Sequence, residues 1–351
     1  MKPADVKTSH WLSYNLHFVL EHFLGHSLYE KVLGARRKKL ISRIEQHIKK
    51  TRSANPETLP FEELPSVDDF RKRPYQPVTP IVIRGGASDW VASKKWSLEF
   101  FEKQYGNKEI MVHDTEGLVD RKNPQEFETM KLGQYIELLR KGSMKYLKFS
   151  RMVHEEKTLQ KDLNLGELRK FLLPLSFGEA FYMFMGAADT ITPIHDGSGC
   201  TVFVNIAGRK RWIMWQTGEK IFLDVRPDRR SYFFSHADPH NLNDPEYPLL
   251  KYAKKYEVIL EPGDVLWFPS WVWHQVENLT PAIGVAFKFT NLPAAWKSSA
   301  LQTVLFFFAT KPWLLQAYWI SLFKKEDYIY TKEANKHKLE VKTAPQAATA
   351  G

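Results

Sequence analysis

The sequence predicts a mainly β fold with flanking helices, a sandwich or barrel that carries helical additions at both ends. Three observations predict it. From Glu179 to Phe289, short apolar runs alternate with Gly/Pro turns at close spacing, the pattern of all-β architectures. Apolar residues at helical spacing occupy both flanks, as amphipathic helices require. Two histidines, His195 and His274, stand in similar settings of strand and tight turn, in Thr192-Pro193-Ile194-His195-Asp196-Gly197-Ser198-Gly199-Cys200 and in Pro262-Gly263-Asp264 through Trp271-Val272-Trp273-His274.

In chain order, residues 9–50 read as helices. Trp11, Tyr14 and Phe18 follow helical spacing, Gly25 and Gly34 punctuate, and Lys31 to Lys50 forms a basic amphipathic stretch. The plain expectation is an added helical layer on the main domain; the sharper one is a surface for a membrane or a partner. Residues 51–66 form a polar linker punctuated by prolines, and a short helix is expected near Val67 to Arg71. Pro80 to Arg84 reads as a strand turned at Gly85-Gly86. Trp96 to Gly106 reads as a helix with Ser97 as its cap and a closing glycine. Glu109 to His113 is a strand, Met130 to Lys141 a helix, Tyr146 to Phe149 a strand, and Leu163 to Leu173 a helix stopped by Pro174.

The β runs that follow are Phe181–Met185, Cys200–Ile206, Arg211–Trp215, Glu257–Leu260, Val265–Phe268, Trp273–Val276 and Gly284–Phe289. An irregular insertion, Asp224 to Tyr252, separates the two histidine stretches. Residues 296–323 return to helix. The chain therefore divides into an N-terminal helical extension and linker (1–60), a core domain (61–292), C-terminal helices (293–325) and a polar tail (326–351) expected to be disordered.

The 351 residues suffice for a sizeable core. Hydrophobic residues make up 43% and charged residues 26%, so the class is globular and soluble. The net charge of +10 comes from 50 Lys+Arg against 40 Asp+Glu. The cations are scattered apart from Arg36-Arg37-Lys38-Lys39 and Arg209-Lys210-Arg211, which leaves a nucleic-acid partner unsupported. The single cysteine, Cys200, excludes an internal disulfide and suits a reducing compartment, so a cytoplasmic location is expected. Cys200 itself reads as a small buried strand residue rather than a nucleophile. The N-terminus lacks a secretory pattern, and no uninterrupted apolar run is long enough to span a bilayer.

A redox-active ferrous site takes two imidazoles and one carboxylate, leaving positions open for cosubstrate and O2. On a strand, residues i and i+2 share a face, so the useful pattern is His-x-Asp/Glu, with a second His from a distant strand. His195 and His274 supply the imidazoles. Residue i+2 from His195, however, is Gly197, while Asp196 at i+1 faces the other way on a regular strand. Three readings stand open. Positive φ at Gly197 or Gly199 swings Asp196 onto the metal; the metal keeps two His ligands with water or an anion; or no iron binds and the barrel is a binding module. His236 and His240, in the insertion, border a substrate mouth or serve only the loop. His113 lacks a partner at ligand spacing.

These residues carry a resemblance. Arg84-Gly85-Gly86-Ala87-Ser88-Asp89-Trp90 with Lys95-Trp96-Ser97-Leu98, then Thr192-Pro193-Ile194-His195, Gly208-Arg209-Lys210-Arg211-Trp212, Glu261-Pro262-Gly263-Asp264-Val265-Leu266 and Trp273-His274-Gln275-Val276-Glu277-Asn278-Leu279 resemble, in order, the cupin-like JmjC-type oxygenases related to the asparaginyl and lysyl protein hydroxylases. The likeness runs from about Phe61 to Leu292. It implies a double-stranded β-helix (cupin/jelly-roll) core, Fe(II), and 2-oxoglutarate as cosubstrate. It implies His195 and His274 as iron ligands and catalytic residues, with Asp196 as the only nearby carboxylate for a third ligand. It implies Thr192 hydrogen-bonding the cosubstrate and Lys210 pairing with its distal carboxylate. The expected activity is hydroxylation of a protein, peptide or small molecule; the alternative, since Gly197 replaces the family's carboxylate, is an inactive JmjC-like binding or scaffold protein. Relatives dimerise through C-terminal helices, so self-association through Trp296 to Trp319 is the first expectation for that segment and peripheral membrane contact the second.

Overall fold

A computed structural model describes residues 2–72, 79–113, 127–310 and 313. Among the described residues, thirteen strands form two sheets. They are β1 (Glu62–Glu63), β2 (Ile81–Ile83), β3 (Glu109–His113), β4 (Phe127–Lys131), β5 (Tyr146–Ser150), β6 (Phe177–Gly186), β7 (Ile191–His195), β8 (Cys200–Ala207), β9 (Lys210–Trp215), β10 (Lys255–Leu260), β11 (Val265–Phe268), β12 (Trp273–Asn278) and β13 (Ala282–Thr290). The larger sheet runs β1-β2-β11-β8-β13-β6-β5-β3-β4 and the smaller β10-β9-β12-β7. All pairings are antiparallel except β1 with β2. This is a jelly-roll core, as the sequence predicts.

Two long helices lead in, α1 (Thr8–Leu24) and α2 (His26–Ile48), broken where Gly25 takes φ 78°, a conformation that suits glycine. Seven shorter helices, α3 to α9, lie at Val67–Lys72, Val91–Lys95, Leu98–Tyr105, Leu132–Arg140, Met152–Glu155, Lys157–Asp162 and Leu165–Arg169; α10 is Lys220–Leu223, and α11 (Leu292–Ser298) and α12 (Ala300–Phe307) close the described chain. Ser97 caps α5 by accepting from Phe100 N at 3.1 Å, as expected. Two expectations are corrected. The helix predicted from Met130 begins at Leu132, because Lys108 and Glu109 pair with Leu132 and Lys131 and hold the preceding residues in β4. The helix predicted over Leu163 to Leu173 shrinks to α9, since Asn164 caps at its own position and Leu175 turns with φ 67°. Residues 314–323 of the predicted C-terminal helix and the 326–351 tail lie outside the described residues.

Three apolar clusters divide the interior. One packs α3–α9 against the outer face of the large sheet, through residues such as Trp96, Phe101, Ile136 and Phe171. One fills the space between the sheets, with Phe203, Trp212, Met214, Phe268 and Leu266. The third packs the small sheet against α1, α2, the 224–252 insertion and α12 through Phe18, Ile44, Phe233, Trp271 and Leu305. Buried ion pairs fasten this last layer. Arg37 is 4% exposed and donates to Glu21 Oε2 at 2.5 Å and to Asp224, while Arg52 bridges Asp5 and Glu219. Guanidinium forks suit such bidentate work. The N-terminal helices thus pack as a layer on the small sheet.

Candidate functional site

The site is built on β7 and β12, antiparallel neighbours that bring His195 opposite His274, with ring centroids 4.1 Å apart. Side-chain alternation on β12 aims His274, Val276 and Asn278 to one face, and on β9 aims Lys210, Trp212 and Met214 to the same interior. On a regular β7, Thr192 and His195, three apart, would face opposite ways. They do not, because the register slips: His274 pairs with His195 but Val276 pairs with Thr192, so three steps of β7 oppose two of β12. This bulge contains Pro193, which has no N–H to leave unpaired on an edge strand. It puts Thr192 and His195 on one cavity together with His274.

Both imidazoles are held the same way. Nδ1 of His195 donates to Pro193 O at 2.8 Å, and Nδ1 of His274 donates to Val272 O at 3.0 Å. That tautomer leaves Nε2 of each ring with its lone pair, the form a metal takes. Burial pushes His195 down to about 4 and His274 well below its ordinary 6.5, helped by the neighbouring Lys288 cation. Both rings are therefore neutral at physiological pH.

Asp196 does not join them. Its backbone N donates to Phe233 O at 3.0 Å, its Oδ1 accepts from Phe233 N at 2.8 Å, and its Oδ2 accepts from Gln302 Nε2 at 2.5 Å. The carboxyl is 2% exposed, on the α12 side of the sheet, and burial raises it to about 8. The expectation that Asp196 completes a ligand set is corrected by this geometry: the strand places it on the far face, and the insertion and α12 satisfy it there. Neither Gly197 nor Gly199 takes a positive φ. Among the described residues no group of three His, Cys, Asp or Glu is arranged for a metal. The donor set thus fits iron with two imidazoles and without a protein carboxylate. At Gly197, a Cβ would meet no atom within 4 Å.

Lys210 is fully buried. Its Nζ donates to Asn278 Oδ1 at 2.5 Å and approaches the Tyr146 hydroxyl at 3.4 Å. Tyr146 lines the same cavity as Thr192, and Asn278 Nδ2 donates to Thr190 Oγ1 at 2.7 Å. No carboxylate among the described residues pairs with this ammonium, and dehydration lowers it to about 7. Gly186 makes room for the cluster, since a Cβ there would stand 2.6 Å from Tyr146 and 2.7 Å from Asn278. Between this cluster and the histidines lies a cavity of ≈ 30 Å³ walled by Phe149, Phe184, Phe203, Trp212 and Phe268.

Sequence reasoning named His195, His274, Thr192 and Lys210, and the structure gathers them. It missed Tyr146 and Asn278. A usable signal for Asn278 was present, four residues beyond His274 on one strand face; Tyr146 comes from the other sheet and carried none. His240 is engaged elsewhere, with Nε2 2.6 Å from Glu277 Oε1, and His236 sits edge-on to Phe234 at 5.0 Å. Cys200 is buried, and its thiol is pushed up to about 11, which makes it a packing residue. No described helix is long and apolar enough to cross a membrane.

A two-sheet jelly roll with a paired-histidine cavity defines a cupin-type protein. Residues 68–295 match the family model described as a cupin-like domain, and the chain belongs to that family. Curated relatives include lysine-specific demethylase 8 of Xenopus tropicalis, 24% identical over 237 residues, 65% of this chain and 52% of that protein. Jumonji C domain-containing protein 5 of Drosophila melanogaster is 22% identical over 244 residues, 65% of this chain and 59% of its own. HSPB1-associated protein 1 of Homo sapiens is 32% identical over 114 residues, 32% of this chain and 23% of that one. The chain spans about half the length of the first two.

Proposed function

We propose that the chain is a Fe(II)- and 2-oxoglutarate-dependent oxygenase that hydroxylates a protein, peptide or small molecule. One observation carries the reading: Lys210, an ammonium that no carboxylate among the described residues pairs with, is buried 3.4 Å from the Tyr146 hydroxyl, and Tyr146 and Thr192 line a cavity that also presents two neutral imidazoles. An isolated buried cation is costly, and a dicarboxylate ligand supplies its missing counter-charge. Thr192 and Tyr146 offer hydroxyls to the same carboxylate, and Asn278 holds the ammonium in place. His195 and His274 would hold the iron, which when bound activates O2 for oxidative decarboxylation of the cosubstrate. The cavity of ≈ 30 Å³ holds about one water, so a dicarboxylate enters by displacing rings. Phe149 is the ring best placed to move: it sits at φ 54°, beside a register slip in β5, with its ring edge-on to His195 at 6.4 Å.

A second reading, a dicarboxylate- or metal-binding module without turnover, is favoured by the outward turn of Asp196 and the glycine at 197. Purified protein with Fe(II), ascorbate and 2-oxoglutarate separates the two. The oxygenase forms succinate, and His195→Ala abolishes both turnover and iron uptake. Ligand binding without succinate selects the module, and the absence of both iron and 2-oxoglutarate binding removes either reading.

A further inference from the structure

The α1–α2 hairpin has a second apolar face that the fold does not use. In α1, Tyr14, Phe18 and His22 are buried against the barrel layer, whereas Leu12, Leu16 and Phe23, at helical spacing on the opposite side, are 63%, 58% and 51% exposed. In α2, Tyr29, Leu40, Ile44 and Ile48 are buried, while Leu28 and Val32, one turn apart, are 48% and 61% exposed. The end of α12 continues this surface. The Phe23 and Phe308 rings meet with centroids 5.8 Å apart, and Arg229 ties the two segments by donating to Leu24 O and accepting from Thr310 N. Phe307, Phe308 and Trp313 are each more than half exposed there.

The charges around this face have one sign. Lys31, Arg36, Lys38, Lys39 and Arg43 are all exposed on α2. The hairpin has three carboxylates, and none is free on its surface. Glu21 is buried on Arg37, Glu30 is held by Arg226, and Glu45 is held by Lys49. Lys39 and Arg43 follow Leu28 and Val32 along one stripe of α2, so the apolar end near the turn grades into a cationic end.

We propose that this face docks the protein on an anionic lipid bilayer, with the hairpin lying in the interface. Leucine and phenylalanine side chains enter the acyl boundary, and lysine and arginine engage lipid phosphates and carboxylates. Nucleic acid would use the cations but leave the aliphatic stripe uncovered. A second copy of this chain would cover the stripe and bring five like charges on each side into apposition. The bilayer satisfies both halves of the surface, and no spanning segment is needed. The proposal stands independently of the histidine site.

The test is sedimentation of the full chain with phosphatidylcholine vesicles, with and without phosphatidylserine. Binding is expected only with phosphatidylserine, weakening as salt rises, with a blue shift of tryptophan emission. Leu16→Asp with Leu28→Asp weakens partitioning by more than about tenfold. Arg36→Glu with Lys39→Glu weakens it by about fivefold per cation. These side chains are exposed, so circular dichroism and Tm stay unchanged, which separates docking from folding. No binding to either vesicle overturns the proposal, as does equal binding to both. A lipid-independent dimer that Leu16→Asp with Leu28→Asp dissolves, without vesicle binding, assigns the face to a second copy instead.

Discussion

Lys210 gives the most exacting test of the site, because its proton is linked to its ligand. In the empty pocket, dehydration holds the ammonium at about 7. A carboxylate placed against it in the same apolar surroundings favours the charged form and raises that value. Binding therefore takes up a proton wherever the empty pocket holds a neutral amine. The protonated share of Lys210 falls from about nine-tenths at about pH 6 to about one-tenth at about pH 8. The apparent affinity for 2-oxoglutarate, or an unreactive dicarboxylate analogue, should fall by about tenfold over that span, about 1.4 kcal/mol. Both imidazoles titrate below this window, so they add no slope of their own.

The same linkage has a sign for stability. The folded value of about 7 lies below the ordinary 10.5 of the unfolded chain, so between the two the unfolded chain binds more protons. The contribution of Lys210 to stability therefore grows as pH rises from about 7 towards 10.5. The rise in Tm caused by a dicarboxylate should shrink over the same interval. Titration calorimetry in two buffers of different ionisation heat reads the effect directly, with about half a proton taken up per ligand near neutral pH. Lys210→Met should abolish the binding. An affinity that stays constant across the window, with zero proton uptake, would refute the assignment of Lys210 to the ligand.

Three further predictions follow from neighbouring geometry. Gly197→Asp introduces a side chain where a Cβ meets no atom within 4 Å; it should fold normally and raise Fe(II) affinity by more than about tenfold, read by equilibrium dialysis. An unchanged affinity would show that a carboxylate at 197 does not reach a metal held by the imidazole pair. Asp196→Asn should leave metal affinity intact and change stability by less than about 1 kcal/mol, because Gln302 can flip its amide and use its unpaired Oε1. The wild-type carboxyl is raised from 3.8 to about 8, so the folded state holds the extra proton between those values. Wild-type stability should therefore fall relative to the Asn variant as pH rises through that window, which denaturant titrations at several pH values would reveal. Arg37→Met removes the buried guanidinium that joins Glu21 and Asp224, leaving them to His26 and Arg226, and should cost about 3 kcal/mol in urea unfolding.

The fold was legible in the sequence where local pattern and burial agree. Strand Glu109–His113 alternates over its first four residues, and the runs at 200–207 and 282–290 are almost continuously buried, apolar but for Thr201, Asn205, Lys288 and Thr290, because they lie at the centre of the large sheet. What the sequence hid was set by tertiary pairing. Lys131 belongs to a strand although its neighbours read as a helix, since β3 claims it. Tyr146 reaches Lys210 from the other sheet, and no spacing along the chain announces a contact across a barrel. The bulge in β7 was equally hidden. Periodicity assigns faces on the assumption of a regular strand, and here three steps of one strand oppose two of the next.

The bulge also explains why one residue of register matters so much at this site. It lies between Thr192 and His195, so it aligns the Thr192 hydroxyl with the imidazole end of the cavity, but it does nothing beyond His195. Past that point alternation resumes, and the next side chain must face away. Asp196 accordingly meets Phe233, Gln302 and the Lys220 cation in the apolar layer behind the sheet. That layer contains α1 and α12, and the Lys220 ammonium lies 4.5 Å from the Phe18 ring centroid. A carboxyl that the pattern offers to a metal has instead become the anchor joining the barrel to its helical layer. At the adjacent glycine a Cβ would meet no atom within 4 Å, and the imidazoles are oriented by the backbone carbonyls of Pro193 and Val272. Imidazole orientation and helix anchoring are thus handled by separate residues, so Asp196→Asn reports on the anchor and Gly197→Asp on the imidazole pair.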